Sequence, residues 1–347
     1  MGLTMKAAVM HAPREIRMEE RPRPSAAPGE LLVKVRHVGI CGSDMHFLKD
    51  GRLGNWVVDA PLILGHESAG EVVELGAGVR GFAVGDTVAL EPGVPCGACR
   101  NCMTGHYNLC PEMSFMAIPH ERDGVFCEYV SHPAKMCFKL PANVGTLEGG
   151  LCEPLSVGLY AVEKSGARLG QSAVIFGSGC IGLVTLLVLK AVGVVDVTVV
   201  DVVQKRLDKA LELGARRVIR GDWEDAVAAL MATGGCDVVF DAAGSPVTAL
   251  QATRVVAPNG VVVMVGMAAD PVIGLDVGTL AAREARLETI FRYRNHYPTA
   301  IRAVESGVIP LKNIVSHVFP FEQIAESILF NMDNPNEVVK GVISFAD

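Results

Sequence analysis

Four cysteines close together in one short stretch carry the strongest chemical signal in this chain. Cys96, Cys99 and Cys102 are separated from one another by two residues, and Cys110 follows after seven more. Four thiolates at this spacing match the tetrahedral, all-sulfur coordination of structural zinc. Such a site has no open coordination position, so we expect the loop 96–110 to be held by metal without taking part in catalysis. The alternative is a set of disulfides or spare thiols, which an intracellular chain disfavours.

A second group of zinc-ligand types lies outside this loop. Cys41 and His66 offer a thiolate and an imidazole, and Glu67 and Glu153 offer carboxylates. Catalytic zinc usually keeps three protein ligands and one position for water or substrate. On residue types alone, the third ligand is either Glu67 or Glu153. Each residue taken singly also fits an ordinary core or surface role.

A glycine-rich motif opens the second half of the chain. It reads Gly177-Ser178-Gly179-Cys180-Ile181-Gly182 and stands between an apolar run and a helical pattern. That context is the one a dinucleotide-binding turn requires. The first glycine permits the tight turn, the second admits the pyrophosphate and the third lets helix and strand pack closely. The alternative is a glycine-rich turn in an unrelated α/β domain.

The residue after the next apolar run bears on the choice of dinucleotide. Asp201 follows Gly182 by 19 residues. A carboxylate at this place accepts hydrogen bonds from the adenosine ribose and repels a 2′-phosphate, which favours NAD over NADP. Arg206 lies close enough in the sequence to leave NADP open.

Two different scaffolds are needed to position these groups. Residues 1–150 are rich in Gly and Pro and predict short strands and loops, for example at 31–35 and 70–73. From residue 172 onward, apolar strands alternate with helices, which indicates a parallel sheet covered on both faces. The predicted strands there are 173–176, 197–200, 236–240 and 260–265, and the predicted helices are 181–191 and 204–213. A helix at 321–332 and a strand at 340–345 close the chain.

Composition excludes several classes of protein. The 347 residues are enough for two domains, and half of them are hydrophobic. A net charge of -7 without a basic run argues against nucleic-acid binding. The longest apolar stretch, 180–189, is too short to span a bilayer. The N-terminus lacks the apolar core of a signal peptide, and we expect a cytoplasmic protein without membrane partners.

The order of these motifs resembles the zinc-dependent medium-chain alcohol dehydrogenases. Within that family the chain looks most like the polyol branch, the sorbitol (L-iditol) and xylitol dehydrogenases, and the likeness runs from residue 6 to 345. The motifs that carry it are Cys41-x-Ser43-Asp44-x-His46, Gly51-Arg52-Leu53-Gly54, Gly65-His66-Glu67, the cysteine loop, Glu153-Pro154-Leu155-Ser156-Val157-Gly158, the glycine motif and Phe291-Arg292-Tyr293.

The resemblance implies an α/β fold with two domains. A GroES-like irregular β catalytic domain would take residues 1–155 and 293–347, including the zinc loop 96–110. A Rossmann domain with a doubly wound parallel sheet would take 156–292 and bind NAD. The family also implies one catalytic and one structural Zn²⁺ per chain, and a homotetramer or homodimer.

The resemblance further implies roles at the catalytic zinc. Cys41 and His66 match zinc ligands, and Glu153 stands where other branches of the family have a ligand cysteine. In the polyol branch Glu67 can bind the metal directly while Glu153 holds the metal-bound water. Which carboxylate contacts the metal stays open at this point.

The implied reaction is the reversible oxidation of a secondary hydroxyl of a polyol (sorbitol, xylitol or L-iditol) to the ketose, by alkoxide formation on zinc and hydride transfer to NAD. Ser43 and His46 match the proton relay, and Asp44 matches the carboxylate that orients the zinc histidine. Arg292 and Tyr293 are candidates to pair the other substrate hydroxyls, because an unpaired buried polar group costs about 1–3 kcal/mol.

Several alternatives remain at this stage. Phe47 and Phe115 either line the substrate pocket or belong to the core. Another branch, such as L-threonine 3-dehydrogenase or an aliphatic alcohol dehydrogenase, would keep the fold and both zinc sites. A non-enzymatic NAD- or zinc-binding module would bind its cofactors without turnover.

Overall fold

The computed structural model describes residues 2–268 and 272–345, and the chain divides into two compact units. The first comprises Met1–Glu153, Tyr297–Gly307 and Val315–Asp347, and the second comprises Pro154–His296 and Val308–Ile314. The domain boundaries expected from the sequence stay a prediction, because the compact units divide the segment after residue 292 more finely.

The first unit begins as an irregular β structure. Its early strands are Thr4–Ala12 (β1), Glu15–Pro22 (β2), Glu30–Gly39 (β3), Arg52–Leu53 (β4), Trp56–Val57 (β5), Leu62–Ile63 (β6), Glu67–Leu75 (β7), Thr87–Leu90 (β8), Gly93–Val94 (β9), Ser114–Phe115 (β10), Tyr129–Pro133 (β11) and Cys137–Lys139 (β12). The helices among them are Gly42–Asp50 (α1) and Arg100–Met103 (α2), and Thr146–Ser165 (α3) carries the chain from the first unit into the second. Short strands joined by turns follow from the high Gly and Pro content of this part of the sequence.

The second unit contains a six-stranded parallel sheet in the order β15-β14-β13-β16-β17-β18. Its strands are Ser172–Phe176 (β13), Asp196–Asp201 (β14), Arg217–Arg220 (β15), Cys236–Asp241 (β16), Val256–Met264 (β17) and Arg286–Thr289 (β18). Its helices are Cys180–Ala191 (α4), Gln204–Glu212 (α5), Ala226–Met231 (α6), Pro246–Val255 (α7) and Val277–Ala282 (α8). Valines such as Val174, Val239 and Val262 are fully buried, which explains why the strands read as continuous apolar runs. The predicted α/β fold class is confirmed.

The chain then returns to the first unit. Its last elements are Tyr297–Glu305 (α9), His317–Pro320 (β19), Ile324–Asp333 (α10) and Gly341–Ser344 (β20). A 3₁₀ turn over Phe321–Gln323 precedes α10, so the helix expected at 321–332 starts later than its pattern suggests. In the seven-stranded sheet the order is β12-β8-β7-β3-β20-β19, with β11 paired to β3. The pairing of β20 with β3 brings the end of the sequence beside the residues that precede Cys41.

Within residues 2–268 and 272–345, no helix combines the length and the apolar character that crossing a membrane requires.

Candidate metal centres and cofactor site

The loop 96–110 folds into a compact lobe, here called the four-cysteine lobe, around its own sulfur atoms. The Sγ of Cys102 lies 3.5 Å from that of Cys99 and 3.9 Å from that of Cys96. The Sγ of Cys110 lies 3.9 Å from that of Cys99. Zinc–sulfur bonds of about 2.3 Å in a tetrahedron place the sulfurs about 3.8 Å apart. The lobe therefore fits zinc without rearrangement.

Backbone groups prepare this lobe for a cation. The N–H groups of Ala98 and Cys99 lower the pKa of Cys96 to about 7, whereas desolvation raises the pKa of Cys102 to about 12. Thiolates are the form that binds zinc, so metal binding would drive off the protons that the lobe retains without it. Cys99 caps the start of α2 and Cys102 lies within it, and Cys110 follows a 3₁₀ turn at Tyr107–Leu109.

A second cluster, here called the mixed cluster, is formed by Cys41, His66 and Glu67. One ligand atom from each residue lies within 4.8 Å of the others. Cys41 precedes α1, and Glu67 is the first residue of β7. Gly65 turns the chain there with φ of 88°, and a Cβ on it would meet the Phe126 ring at 2.8 Å. One sulfur, one nitrogen and one oxygen donor fit a catalytic zinc with a position left for substrate.

Asp44 ties together the two loops that carry the mixed cluster. Its carboxylate is fully buried and accepts hydrogen bonds from the backbone N–H groups of Cys41 at 2.9 Å and Gly65 at 3.0 Å. Its Oδ1 lies 3.9 Å from His66 Nδ1, beyond hydrogen-bond distance. Burial raises the pKa of this carboxyl. Asp44 thus positions the ligands mainly through the backbone, and its charge reaches the histidine directly.

The surroundings of His66 favour positive charge. Burial lowers the pKa of its imidazole, but Cys41, Asp44 and Glu153 together raise it to about 10. The side chains that raise this pKa lie around the mixed cluster, and acidic groups in such a place also attract a divalent cation.

Lys340 is a residue of this site that the sequence analysis missed. Its Nζ donates to Glu67 Oε2 at 2.5 Å and to the carbonyl of Ile40 at 2.9 Å, and both charged side chains are 2% exposed. Gly39 makes room for the carboxylate, because a Cβ there would lie 2.0 Å from Oε2. The sequence signal that could have found it is a lone lysine in the apolar stretch 338–343. Such a lysine is expected to be buried, and a buried lysine nearly always has a charged partner.

Glu153 lies close to the mixed cluster without belonging to it. It is buried near the middle of α3, and its charge acts on both His66 and Glu91. Burial raises the pKa of Glu91 to about 7, and its Oε1 accepts a 2.6 Å hydrogen bond from the Tyr107 hydroxyl. Because Tyr107 belongs to the four-cysteine lobe, this bond joins the lobe to the carboxylates beside the mixed cluster. Glu91, at the end of the apolar run 87–90, was also missed.

The predicted relay residues lie on one side of α1. Ser43 and His46 are one helical turn apart, at a spacing that places side chains next to each other. Ser43 is half-buried, whereas the side chain of His46 is 51% exposed, with Nδ1 3.7 Å from Asp50 Oδ2. His46 is therefore the member of the pair that faces solvent.

The predicted substrate residues separate into distinct groups. The Phe115 ring lies 5.7 Å from the His66 ring, whereas Phe47 is 1% exposed and packs in the core, which favours its core interpretation. Arg292 and Tyr293 lie in the second unit. Arg292 has φ of 54°, an uncommon backbone state for a residue other than glycine, and its guanidinium lies 4.8 Å from the Phe291 ring. Such strain is concentrated at functional sites.

The glycine motif has the form that a dinucleotide needs. A Cβ on Gly182 would meet the carbonyl oxygen of Gly177 at 1.9 Å, so this position must be glycine. Gly179 caps α4 and has nothing within 4 Å of its would-be Cβ, which leaves an open face at the helix N-terminus. Cys180 and Ile181 begin α4 and are half-buried. This open cradle at the carboxyl end of β13 fits a pyrophosphate.

Asp201 ends β14 beside this cradle. Its Oδ2 accepts from the backbone N–H of Ser178 at 2.6 Å and from the Ser178 hydroxyl at 2.9 Å. Its Oδ1 accepts from the N–H groups of Val202 at 2.7 Å and Val203 at 2.9 Å. Arg206, in the first turn of α5, is half-buried. The structure thus keeps the expected acidic residue at the nucleotide edge of the sheet.

Comparisons with known proteins agree with this geometry. The alcohol dehydrogenase GroES-like domain matches residues 27–142, and the zinc-binding dehydrogenase family matches residues 180–306. Sorbitol dehydrogenase of Bacillus subtilis is 38% identical over 98% of this chain and 97% of its own length. L-idonate 5-dehydrogenase of Vitis vinifera is 42% identical over 86% of this chain and 83% of its own. A Sinorhizobium meliloti protein with bound NADP superposes with a TM-score of 0.90, at 30% identity and 99% coverage of both chains.

These matches extend over both units, and two of them cover at least 98% of the chain. The predicted GroES-like and Rossmann architecture is confirmed by them, as is the zinc dependence of the family. The chain therefore belongs to the zinc-dependent medium-chain alcohol dehydrogenases, in the branch that contains the sorbitol dehydrogenases.

Proposed function

We propose that this chain is an NAD-dependent zinc polyol dehydrogenase that oxidises a secondary hydroxyl to a ketone and catalyses the reverse reaction. The observation that carries the proposal is the mixed cluster, which offers sulfur, nitrogen and oxygen donors within 4.8 Å of one another. Among the described residues, Lys340 is the buried cation that pairs with this cluster, through the carboxylate of Glu67.

Cys41, His66 and Glu67 would hold a zinc ion, which would supply a Lewis acid that makes a substrate hydroxyl more acidic. Ser43 then accepts the hydroxyl proton and His46 releases it to solvent, as their order along α1 suggests. Glu153, whose charge acts on His66, would orient the reacting hydroxyl or water by a hydrogen bond. We assign Glu67 the role of third ligand, because it belongs to the mixed cluster, and Glu153 a role in hydrogen bonding.

A polyol is the substrate class that the relatives and the residues favour together. The Bacillus subtilis relative is a sorbitol dehydrogenase and the Vitis vinifera relative an L-idonate 5-dehydrogenase, so both act on polyhydroxylated chains. A guanidinium such as that of Arg292 can pair several hydroxyls, or a carboxylate, which makes idonate the second candidate substrate. We propose NAD as the dinucleotide because Asp201 repels a 2′-phosphate.

We also propose the cytoplasm as the site of action and a homodimer or homotetramer as the assembly, in line with the family. Size-exclusion chromatography with light scattering tests the assembly directly.

The test of function is NAD reduction by the purified, zinc-loaded protein with D-sorbitol, xylitol, L-idonate and L-threonine in parallel. Turnover with a polyol that stops on chelation and returns with zinc supports the proposal. Turnover with L-idonate alone would change the assigned substrate class from polyols to sugar acids. Turnover with threonine alone, or binding of NAD without turnover of any substrate, would contradict it.

Arg292→Ala separates a substrate role from a structural one. We expect KM for a polyol to rise at least about tenfold, because hydroxyls that lose a buried charged partner cost more than 1 kcal/mol. KM for 2-propanol, which has no further hydroxyl, should change less than about twofold. Arg294→Ala is the matched control, since this arginine is also half-buried and stacks on Tyr160. Equal effects on both substrates would remove Arg292 from the substrate site.

A further inference from the structure

The carboxylate of Asp201 is already saturated by the chain itself. An ionised carboxylate offers about four acceptor positions. Four hydrogen bonds from described residues reach it, two from Ser178 and one each from Val202 and Val203. No acceptor position of Asp201 is therefore left for a ribose. A ribose hydroxyl can donate to this carboxylate only if it displaces one of the four donors.

Only one of the four donors is free to move without moving the backbone. The N–H groups of Val202 and Val203 belong to the turn before α5, and the N–H of Ser178 belongs to the glycine motif. The Ser178 hydroxyl turns about a single bond, so it is the donor that a ribose hydroxyl replaces. Ser178 is 0% exposed, and its displaced hydroxyl cannot turn to bulk water for a new partner.

We propose that Ser178 lowers the affinity of this chain for the adenosine half of NAD, because its hydroxyl competes with the ribose for Asp201. The inference rests on the proposed NAD-dependent function and adds to it a residue that sets cofactor affinity. A side chain without a hydroxyl at position 178 would leave one acceptor position of Oδ2 open to the ribose. The nicotinamide half is not involved.

The test is isothermal titration of the zinc-loaded protein with ADP-ribose, NAD and nicotinamide mononucleotide, for the native chain and Ser178→Ala. We expect Ser178→Ala to bind ADP-ribose and NAD about threefold to tenfold more tightly, as removal of one competing hydrogen bond implies. Binding of nicotinamide mononucleotide should not change. Ser178→Cys has a similar volume but a weak donor, so it should also bind ADP-ribose more tightly. Agreement between the two variants excludes a packing defect of the alanine variant as the cause.

The chain contains a matched control. The backbone N–H and hydroxyl of Ser172 both donate to Asp237 Oδ2, at 2.7 Å and 2.8 Å, in the same arrangement at the opposite end of the sheet. Ser172→Ala should leave all three affinities unchanged. In an Asp201→Asn background, where the charged acceptor is gone, Ser178→Ala should no longer tighten ADP-ribose binding.

The outcomes distinguish this inference from the proposed function. Unchanged or weaker ADP-ribose binding by both Ser178 variants would overturn the competition, and so would equal tightening in the Asp201→Asn background. Failure of the native chain to bind either NAD or ADP-ribose would instead overturn the proposed function. Tighter binding confined to the adenosine half, and lost in the Asp201→Asn background, supports the competition.

Discussion

The two metal sites of the first unit are built on opposite plans. The four-cysteine lobe takes all its ligands from residues 96–110, and three of its four thiols are only half-buried. The mixed cluster joins α1 and the start of β7, and two of its three ligands are buried. A lobe with four identical ligands closes around its metal, whereas a mixed set of three leaves a position for chemistry. Local spacing along the chain is enough to build the four-cysteine lobe, whereas the mixed cluster needs tertiary packing to bring its residues together.

The sites also differ in how their charge is balanced. Within the four-cysteine lobe, the hydrogen bonds of backbone N–H groups lower the pKa of Cys96. In the mixed cluster, Lys340 holds a permanent positive charge against Glu67. We therefore expect the lobe to depend on zinc for its fold, and the mixed cluster to keep its shape without metal.

The largest effect is expected for Cys99→Ser. Loss of one thiolate removes the metal that closes the lobe, and structural zinc sites contribute folding energy directly. We expect bound zinc to fall from about two to about one per chain and Tm to fall on the order of 10 °C, with activity lost as Glu91 loses its Tyr107 partner. Zinc analysis and thermal unfolding measure both, with Cys236→Ala as a buried-thiol control that keeps both ions. A Tm within about 2 °C of native would show that the lobe folds without its metal.

Cys41→Ser should remove the other zinc with a different result. Bound zinc should again fall to about one per chain, but Tm should fall by no more than about 4 °C, because Lys340 and Asp44 still hold the loops. Turnover should fall by about a thousandfold or more, since Lewis-acid stabilisation is worth several kcal/mol. Zinc analysis, unfolding and initial rates on one preparation check the three expectations. A Tm loss as large as that of Cys99→Ser would erase the distinction between the two sites.

Ser43→Ala should leave both zinc ions in place and still impair chemistry. General acid–base groups contribute about 10²–10⁴-fold, so we expect kcat to fall within that range. Zinc content and NAD affinity should match the native protein. Ser43→Thr keeps the hydroxyl and should recover most of the rate. Turnover within twofold of native in Ser43→Ala would exclude the relay.

Lys340→Met tests the internal counter-charge of the mixed cluster. Breaking a buried ion pair leaves a carboxylate uncompensated, and we expect the zinc-free protein to lose about 3–5 kcal/mol of stability. Zinc should restore more of that stability than it adds to the native chain, because the metal replaces the missing charge beside Glu67. Lys139→Met, which breaks a 2.7 Å exposed pair with Asp86, should cost less than about 1 kcal/mol. Equal losses in the two variants, measured by denaturant unfolding, would contradict a special role for Lys340.

Part of this architecture could be predicted from the sequence, because it depends on residues that lie close together in the chain. The cysteine spacing specifies a metal loop since all four ligands lie in one short segment. The glycine motif specifies a nucleotide turn because a Cβ at Gly182 would collide with the Gly177 carbonyl. Apolar runs separated by helical patterns specified the parallel sheet, with edges displaced by at most four residues in the structure.

Other features depended on packing between distant segments. Residue types left Glu67 and Glu153 as equal candidates, and the fold brought Glu67 into the mixed cluster with Lys340, 273 residues away, as its partner. Phe47 looked as suited to a pocket as to the core, and burial placed it in the core. Asp201 was expected to accept hydrogen bonds from a ribose, but Ser178 and the turn after β14 already donate to its carboxylate.

The sequence by itself thus determined the ligand types, the metal loop, the nucleotide turn and the fold class. Each of these depends on residues near one another in the chain, where spacing fixes geometry. Only the tertiary structure decided which carboxylate joins Cys41 and His66, which lysine balances it and which donors fill Asp201. The first two choices follow from the pairing of β3 with β7 and β20, and the third from the pairing of β13 with β14, because strand register sets which distant side chains meet.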